Sequence, residues 1–377
     1  LYLIFHRFSV LFIDLITIHE VLPDNVVYEN PNGIDGTHSY SVRLTDEKLG
    51  WLRKDLATVD KQTPVFVGMH VPLHKTPTLD DTGRTTTSYN MEDAERFVEC
   101  LEGYDVNILT GHTHYNFNIT KSERLREHNI AAVCATWWWT GHTDYAGNHI
   151  CRDGSPGGYK IFEATGSDVR WYYKSIGKDA GYQFRTYDLN ECLLEKSDFC
   201  PSASDSDFAK YAFGYDRAND NNEVLINVFD WADDWKIEVT DLSDDSSLAV
   251  QRVRTHDPLH VISYNMRKLD KKSAMTFPTS YSAHMFKVKA RTASSSLRIV
   301  VIDGFENHYE QIMERPKALS FAMEGNRSAR RGKRGSRKSG TPVFIFRDRV
   351  YPDVEGVMAR MRKTTTELSI YYQPYIL

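Results

Sequence analysis

Two short runs limit what this chain can fold into. Thr63-Pro64-Val65-Phe66-Val67-Gly68-Met69-His70 and Asp105-Val106-Asn107-Ile108-Leu109-Thr110-Gly111-His112-Thr113-His114 share one design: an apolar strand, then glycine, then histidine. A short, largely apolar run rich in β-branched residues predicts a strand buried on both faces. Strands of that kind belong to parallel sheets, whose ligand sites lie beyond the carboxyl ends of the strands. His70, His112 and His114 fall at those ends. Glycine lets the backbone approach closely there, and neutral imidazole is a common ligand for borderline metals such as zinc. The three histidines are therefore read as part of a metal site.

The surrounding pattern supports an α/β class. Thr45 is placed to cap a helix in which Leu44 and Leu49 occupy staple positions and Leu49, Leu52 and Leu56 share a face. Asn90 is expected to cap a second helix, with Ala94, Phe97, Val98 and Leu101 at helical spacing. Helix then strand, twice over, is the signature of a parallel sheet. Phe8 to Ile18 reads as a core strand rather than a signal peptide, because His6, Arg7 and Asp14 interrupt the apolar run and no small-residue cleavage site follows. Pro23 to Thr37 and Val71 to Tyr89 read as polar loops.

Beyond His114, strands are expected at Ile130 to Thr136, Gly158 to Ala164 and Val169 to Ser175. From about Tyr182 the alternation of Trp235, Ile237 and Val239 with Lys236, Glu238 and Thr240 indicates antiparallel β structure behind an Ala232-Asp233-Asp234 turn. Further strands run through Phe286, Val288 and Ala290 and from Leu297 to Ile302. This division gives a first domain over 1–178, a small antiparallel, sandwich-like domain over 179–318, and a basic linker and tail over 319–377. Asn326 to Lys338 holds seven Arg or Lys among thirteen residues mixed with Gly and Ser, the composition of a solvated linker. One strand-like run, Val343 to Arg347, follows.

Composition closes off other classes. A length of 377 residues with 41% apolar and 26% charged residues is that of a globular protein with room for two cores. A net charge of −5 argues against a general nucleic-acid binder, non-specific contact by the basic tail apart. No stretch reads as a membrane span. Five cysteines are too few for a disulfide scaffold, although Cys192 and Cys200 are close enough in sequence to pair in an oxidising compartment.

With Trp137-Trp138-Trp139 and Asp153-Gly154-Ser155-Pro156-Gly157-Gly158-Tyr159 added, the two histidine motifs resemble the calcineurin-like metallophosphoesterases. The bacterial subgroup with an extra C-terminal β domain is the nearest pattern, and the resemblance runs from roughly Phe5 to Lys317. Phe305-Glu306-Asn307-His308-Tyr309 suits its closing strand. It implies a four-layer αββα sandwich and a dinuclear centre of Mn, Zn or Fe. His70 and His112 would then bind one ion and His114 the other. The activity implied is hydrolysis of phosphate monoesters or diesters, and the location periplasmic or extracellular.

The chain departs from the family in one respect. The motifs Asp-x-His, Gly-Asp-x-x-Asp and Gly-Asn-His-Asp/Glu do not occur ahead of His70, so the bridging aspartate is missing. Gly147-Asn148-His149 spells part of the third but lies after the fifth and is followed by Ile150. The chain is accordingly expected to hold the family's second half and to have little phosphatase activity alone. The rival reading is a catalytically silent protein whose β domain binds a glycan or a protein; a mononuclear zinc site on the three histidines is a third.

Further positions are candidates for the site. His74 either protonates a leaving group or is a surface loop histidine. Arg84 is a candidate for contact with substrate phosphate. His142 and Asp144 either line the same mouth or are exposed loop residues. The tryptophans, Trp138 among them, either wall the substrate or pack between domains.

Overall fold

The computed structural model describes residues 18–28, 40–140, 149–318 and 368–372. The two histidine-ended runs are strands, Val65–Gly68 and Val106–Thr110, and every residue in both is buried. They pair in parallel, with Val65 opposite Val106 and Gly68 opposite Leu109. The strand His19–Val21 joins in parallel on one side. Leu125–Asn129 joins in parallel on the other, with Phe117–Ser122 antiparallel at the edge. Ile18 alone of the predicted Phe8–Ile18 strand lies within the described residues, and it is buried.

Both faces of this sheet are covered, which is why its strands lack a polar face. On one side Leu49, Leu52 and Leu56 of the helix Asp46–Leu56, with Phe97 of the helix Ala94–Cys100, pack on Val65, Val67, Val106 and Ile108. Thr45 caps the first helix as its sequence predicts, its Oγ1 accepting from the Lys48 N–H at 3.3 Å. Asn90 does not cap the second, which starts at Ala94; its amide instead donates to the Pro72 carbonyl at 3.1 Å and ties down the loop after His70. On the other side Phe66, Leu109 and Ile130 meet Phe162 and Ala164 of the antiparallel hairpin Gly158–Thr165 and Asp168–Ser175.

Other sequence expectations fail for local reasons. Ile130 to Thr136 is not a strand. Pairing ends at Asn129, and the chain then turns, with the left-handed backbone at Ala135 that no ladder accommodates. The loop after Pro23 contains the strand Val26–Tyr28, paired with Tyr40–Val42, and the loop after Val71 contains the hairpin Thr78–Leu79 and Thr85–Thr86. Cys192 and Cys200 are buried free thiols in separate core clusters, and the Cys200 thiol lies 3.6 Å from the Met266 sulfur instead. Asn326–Lys338 and Val343–Arg347 lie outside the described residues. The strand Leu368–Tyr372, which the sequence did not announce, pairs antiparallel with Lys160–Ala164.

The remaining strands form two four-stranded antiparallel sheets. One orders Phe184–Asp188, Glu223–Val228, Ser282–Lys289 and Val250–Thr255; the other orders Ser246–Ser247, Lys236–Asp241, Leu297–Ile302 and His308–Met313. Val224, Ile226 and Val288 from the first and Val239, Ile299 and Val301 from the second share one buried cluster. The chain is thus a mixed α/β structure with several sheets and few helices.

A buried ion pair joins the hairpin to the antiparallel half. Lys160 Nζ lies 2.7 Å from Asp230 Oδ1, both side chains being 1% exposed. The same ammonium donates to Asn118 Oδ1 at 2.7 Å and to His128 Nδ1 at 3.1 Å, while His128 Nε2 reaches Asn107 Oδ1 at 3.1 Å. Burial, and then the Lys160 charge, hold His128 far below the usual imidazole range, so it stays a neutral acceptor. Truncating one partner of such a pair leaves the other charged and buried. Asp230→Ala should therefore cost about 3–5 kcal/mol in urea unfolding, and Lys160→Met with Asp230→Leu should recover most of it. A loss under about 1 kcal/mol for the single variant would show that water reaches Lys160.

Candidate functional site

Parallel pairing of Val65–Gly68 with Val106–Thr110 puts the two histidine loops side by side. Met69 N–H donates to Leu109 O at 2.9 Å and Gly111 N–H to His70 O at 3.1 Å, so the pairing continues past the strands into the loops. The side chains meet as a result. His112 Nδ1 lies 3.0 Å from His70 Nε2, with the rings edge to face at a centroid distance of 4.9 Å. Tyr40 OH lies 3.0 Å from His112 Nε2. Asn25 fixes the loop from the other side, donating to Val71 O at 2.8 Å and accepting from Val71 N–H at 3.3 Å.

His114 takes a different course. Its Nδ1 bonds the Ala135 carbonyl at 2.6 Å, and its ring stacks on Trp137 at 3.9 Å and 13°. Because a carbonyl only accepts, Nδ1 carries the hydrogen and Nε2 is left as the lone-pair nitrogen. Burial, outweighing the Ala135 bond, pushes the His114 pKa down. Trp137 is in turn stacked on Phe277 at 3.7 Å, and Trp139 packs near Tyr264 with the Lys268 ammonium 4.4 Å from its ring centroid. Trp138 is half exposed and meets His149 edge to face.

These loops are strained. Of the ten non-glycine residues with positive φ among those described, five are His112, His114, Ala135, Trp137 and Trp138. Each such conformation costs on the order of 1–3 kcal/mol, and strain of this kind gathers at functional sites. Five in two touching loops single out this end of the sheet.

Of the other sequence candidates, His74 and Arg84 lie among the described residues. His74 is buried: its Nδ1 is 2.6 Å from Glu127 Oε2, and the same carboxylate accepts from the Leu73 N–H at 2.7 Å and the His74 N–H at 3.1 Å. It is not the surface loop histidine of the alternative reading. Arg84 is exposed on the small hairpin, its N–H bonding the Asp80 carboxylate at 3.0 Å. His142 and Asp144 lie outside the described residues. Reading the sequence missed Tyr40, Glu127 and Arg152, a partly buried cation whose charge acts on both His114 and His260. It also missed Glu20, on the strand beside Val65–Gly68, whose carboxyl burial pushes up to about 8.

The donor set does not amount to a dinuclear centre. Among the described residues no group of three or more His, Cys, Asp and Glu could hold a metal ion. His112 has both ring nitrogens engaged, with His70 and Tyr40, so ligation there requires one of these contacts to open. His114 has the correct bare nitrogen but is turned into the tryptophan stack.

Residues 127–309 match the family model described as the C terminal of calcineurin-like phosphoesterase. The match includes the tryptophans and the Asp153 motif and begins after the three histidines. No curated protein matches the chain, and no solved structure does. No helix among the described residues is long and apolar enough to cross a membrane.

Behind the tryptophans, buried His260 accepts from or donates to Thr136 Oγ1 at 2.9 Å and Thr279 Oγ1 at 2.8 Å, and burial pulls its pKa down to about 3. Since the folded value lies below that of the unfolded chain, the unfolded state binds the proton first as pH falls. Stability should drop as pH falls below about 6.5, at up to roughly 1.4 kcal/mol per pH unit. Urea unfolding between pH 7 and 4.5 should show a shallower dependence for His260→Gln than for the parent. Identical slopes would mean that His260 is already charged in the fold.

Proposed function

We propose that this protein is a metal-dependent phosphoesterase hydrolysing phosphate monoesters or diesters through a dinuclear centre. His70, His112 and His114 supply imidazoles to that centre. The family match over 127–309 supports the class, and the contact between His70 and His112 at adjacent strand ends supports the site. The reading includes the four-layer αββα arrangement for 1–178, a separate β domain over 179–318, and the periplasmic or extracellular setting of the bacterial subgroup. Mn, Zn and Fe all suit an imidazole and carboxylate donor set.

Such a centre needs carboxylates beyond those the described residues bring to the histidines. Two dications 4 Å apart repel by about 16 kcal/mol at an effective dielectric of 20 before any anionic ligand offsets it. Three neutral imidazoles offset none of it. The chain alone should therefore bind at most one ion per molecule, weakly, with little turnover.

The test compares residues 1–377 with the same chain carrying any coding sequence found ahead of Leu1, on p-nitrophenyl phosphate and its bis ester with added Mn, Zn or Fe. The expected result is metal-dependent turnover by the extended protein, lost in His112→Ala, and uptake of no more than one ion by the shorter one. Failure of both to hydrolyse either ester, with the fold intact, would favour the silent binding protein instead. Equal turnover by the shorter chain would show that its own residues complete the centre.

A further inference from the structure

Arg152 lies at a junction behind the histidine loops. Its Nε–H donates to the Pro278 carbonyl at 3.2 Å, and its own carbonyl accepts from the Ser280 N–H at 2.9 Å. Phe277, one residue before Pro278, stacks on Trp137, whose ring also stacks on His114. On the other side Asp153, next in the chain, takes the N–H of Asn116, two residues past His114. The side chain is thus fixed between the His114 loop and the segment carrying Phe277, and its charge reaches His114, Tyr115, Tyr264 and His260.

A cation held there lacks a counter-ion. Arg126, Arg252 and Arg315 have aspartate oxygens of Asp105, Asp233 and Asp188 at 2.8, 2.7 and 2.9 Å. Among the described residues no carboxylate pairs with Arg152, and its two terminal NH2 groups have no hydrogen-bond partner. Burial pulls its pKa below the usual guanidinium range, although Tyr115, Tyr264 and Asp153 act the other way. A charge that has lost part of its hydration without gaining a partner is unfavourable, and an anion would offset that loss.

The free donors have a shape. One of the five N–H groups of the guanidinium is used, and the rest form a planar fork that suits two oxygens of one oxyanion. The residue is only partly buried, and neither terminal nitrogen is among the sealed, unpartnered polar atoms, so solvent and a small anion reach them. Tyr264 OH accepts from the Phe277 N–H at 3.1 Å, which leaves its own hydrogen to give. Donors without acceptors favour an anion over a neutral ligand.

We infer that Arg152 binds a tetrahedral oxyanion beside His114, with the guanidinium fork on two of its oxygens. Identifying that oxyanion with the phosphoryl group of the ester rests on the phosphoesterase reading; the binding itself does not.

Orthophosphate can be titrated into the full chain without added metal and followed by 31P NMR. In parallel, protection of arginines from phenylglyoxal is mapped by mass spectrometry. Binding should saturate in the low millimolar range and protect Arg152 but not exposed Arg84. Arg152→Gln should weaken it about tenfold or more, the loss expected for a charge-assisted hydrogen bond, and Arg152→Lys, which keeps the charge without the fork, should fall between. Should Arg152→Gln fail to fold, phenylglyoxal protection in the parent decides the matter. p-Nitrophenyl phosphate should displace orthophosphate; displacement by sulfate alone would make this a site for a free anion and overturn the assignment to the ester. Three results would each overturn the site: no protection of Arg152 by phosphate, unchanged affinity in Arg152→Gln, or acetate bound as tightly as phosphate. Phosphate held by Arg152 in a protein that hydrolyses neither ester, even when extended, would sink the phosphoesterase reading and leave the oxyanion site standing.

Discussion

One buried carboxylate joins the loop after His114 to the antiparallel half of the molecule. Asp153 is 1% exposed, and a charge so far from water is tolerable only when hydrogen bonds replace its hydration. Its partners come from three places: Ser155 beside it, the backbone of Asn116 two residues beyond His114, and His284 on a strand of the antiparallel half. The same oxygens thus tie the histidine loop to the far half of the molecule. Gly154 follows at φ +85°, and any Cβ there would come within 2.0 Å of the Asp257 carboxyl carbon. Asp257 in turn accepts from Tyr187 OH at 2.6 Å and Asn227 Nδ2 at 2.9 Å, and it caps the helix that begins at Pro258 through the His260 N–H. A larger residue at 154 would break this chain of contacts at its narrowest point.

Held from behind in this way, the loops at the sheet end can keep conformations they would not choose alone. His112 and His114 are both left-handed, and Ala135, Trp137 and Trp138 opposite them are too. The histidines end up with different duties: His112 sits between His70 and Tyr40, while His114 is fixed by a carbonyl and an indole face. The family match begins at Glu127, whose carboxylate holds His74 and the backbone of the loop after His70. So the segment that matches the family model also positions residues outside it.

What the sequence determined by itself was set by local periodicity. Unbroken apolar runs ending in Gly-x-His and Gly-His-Thr-His gave buried parallel strands with histidine at their ends, and Thr45 with Leu49, Leu52 and Leu56 gave a capped amphipathic helix. Alternation after Tyr182 gave antiparallel structure. Each rests on contacts within a few residues or on which face is wet, and both are written along the chain. Only the tertiary structure decided which polar atoms meet across long separations. Asp153 with His284, Lys160 with Asp230, Glu127 with His74 and Tyr40 with His112 are 131, 70, 53 and 72 residues apart. No local pattern marks such partners, because a buried polar group is satisfied by whichever group the fold brings within about 3 Å. The turn of Ile130 to Thr136 away from a strand has the same cause. Its apolar residues suit a ladder, yet the sheet ends at Asn129, and the chain bends so that the Ala135 carbonyl meets His114 and the following Trp137 stacks on Phe277.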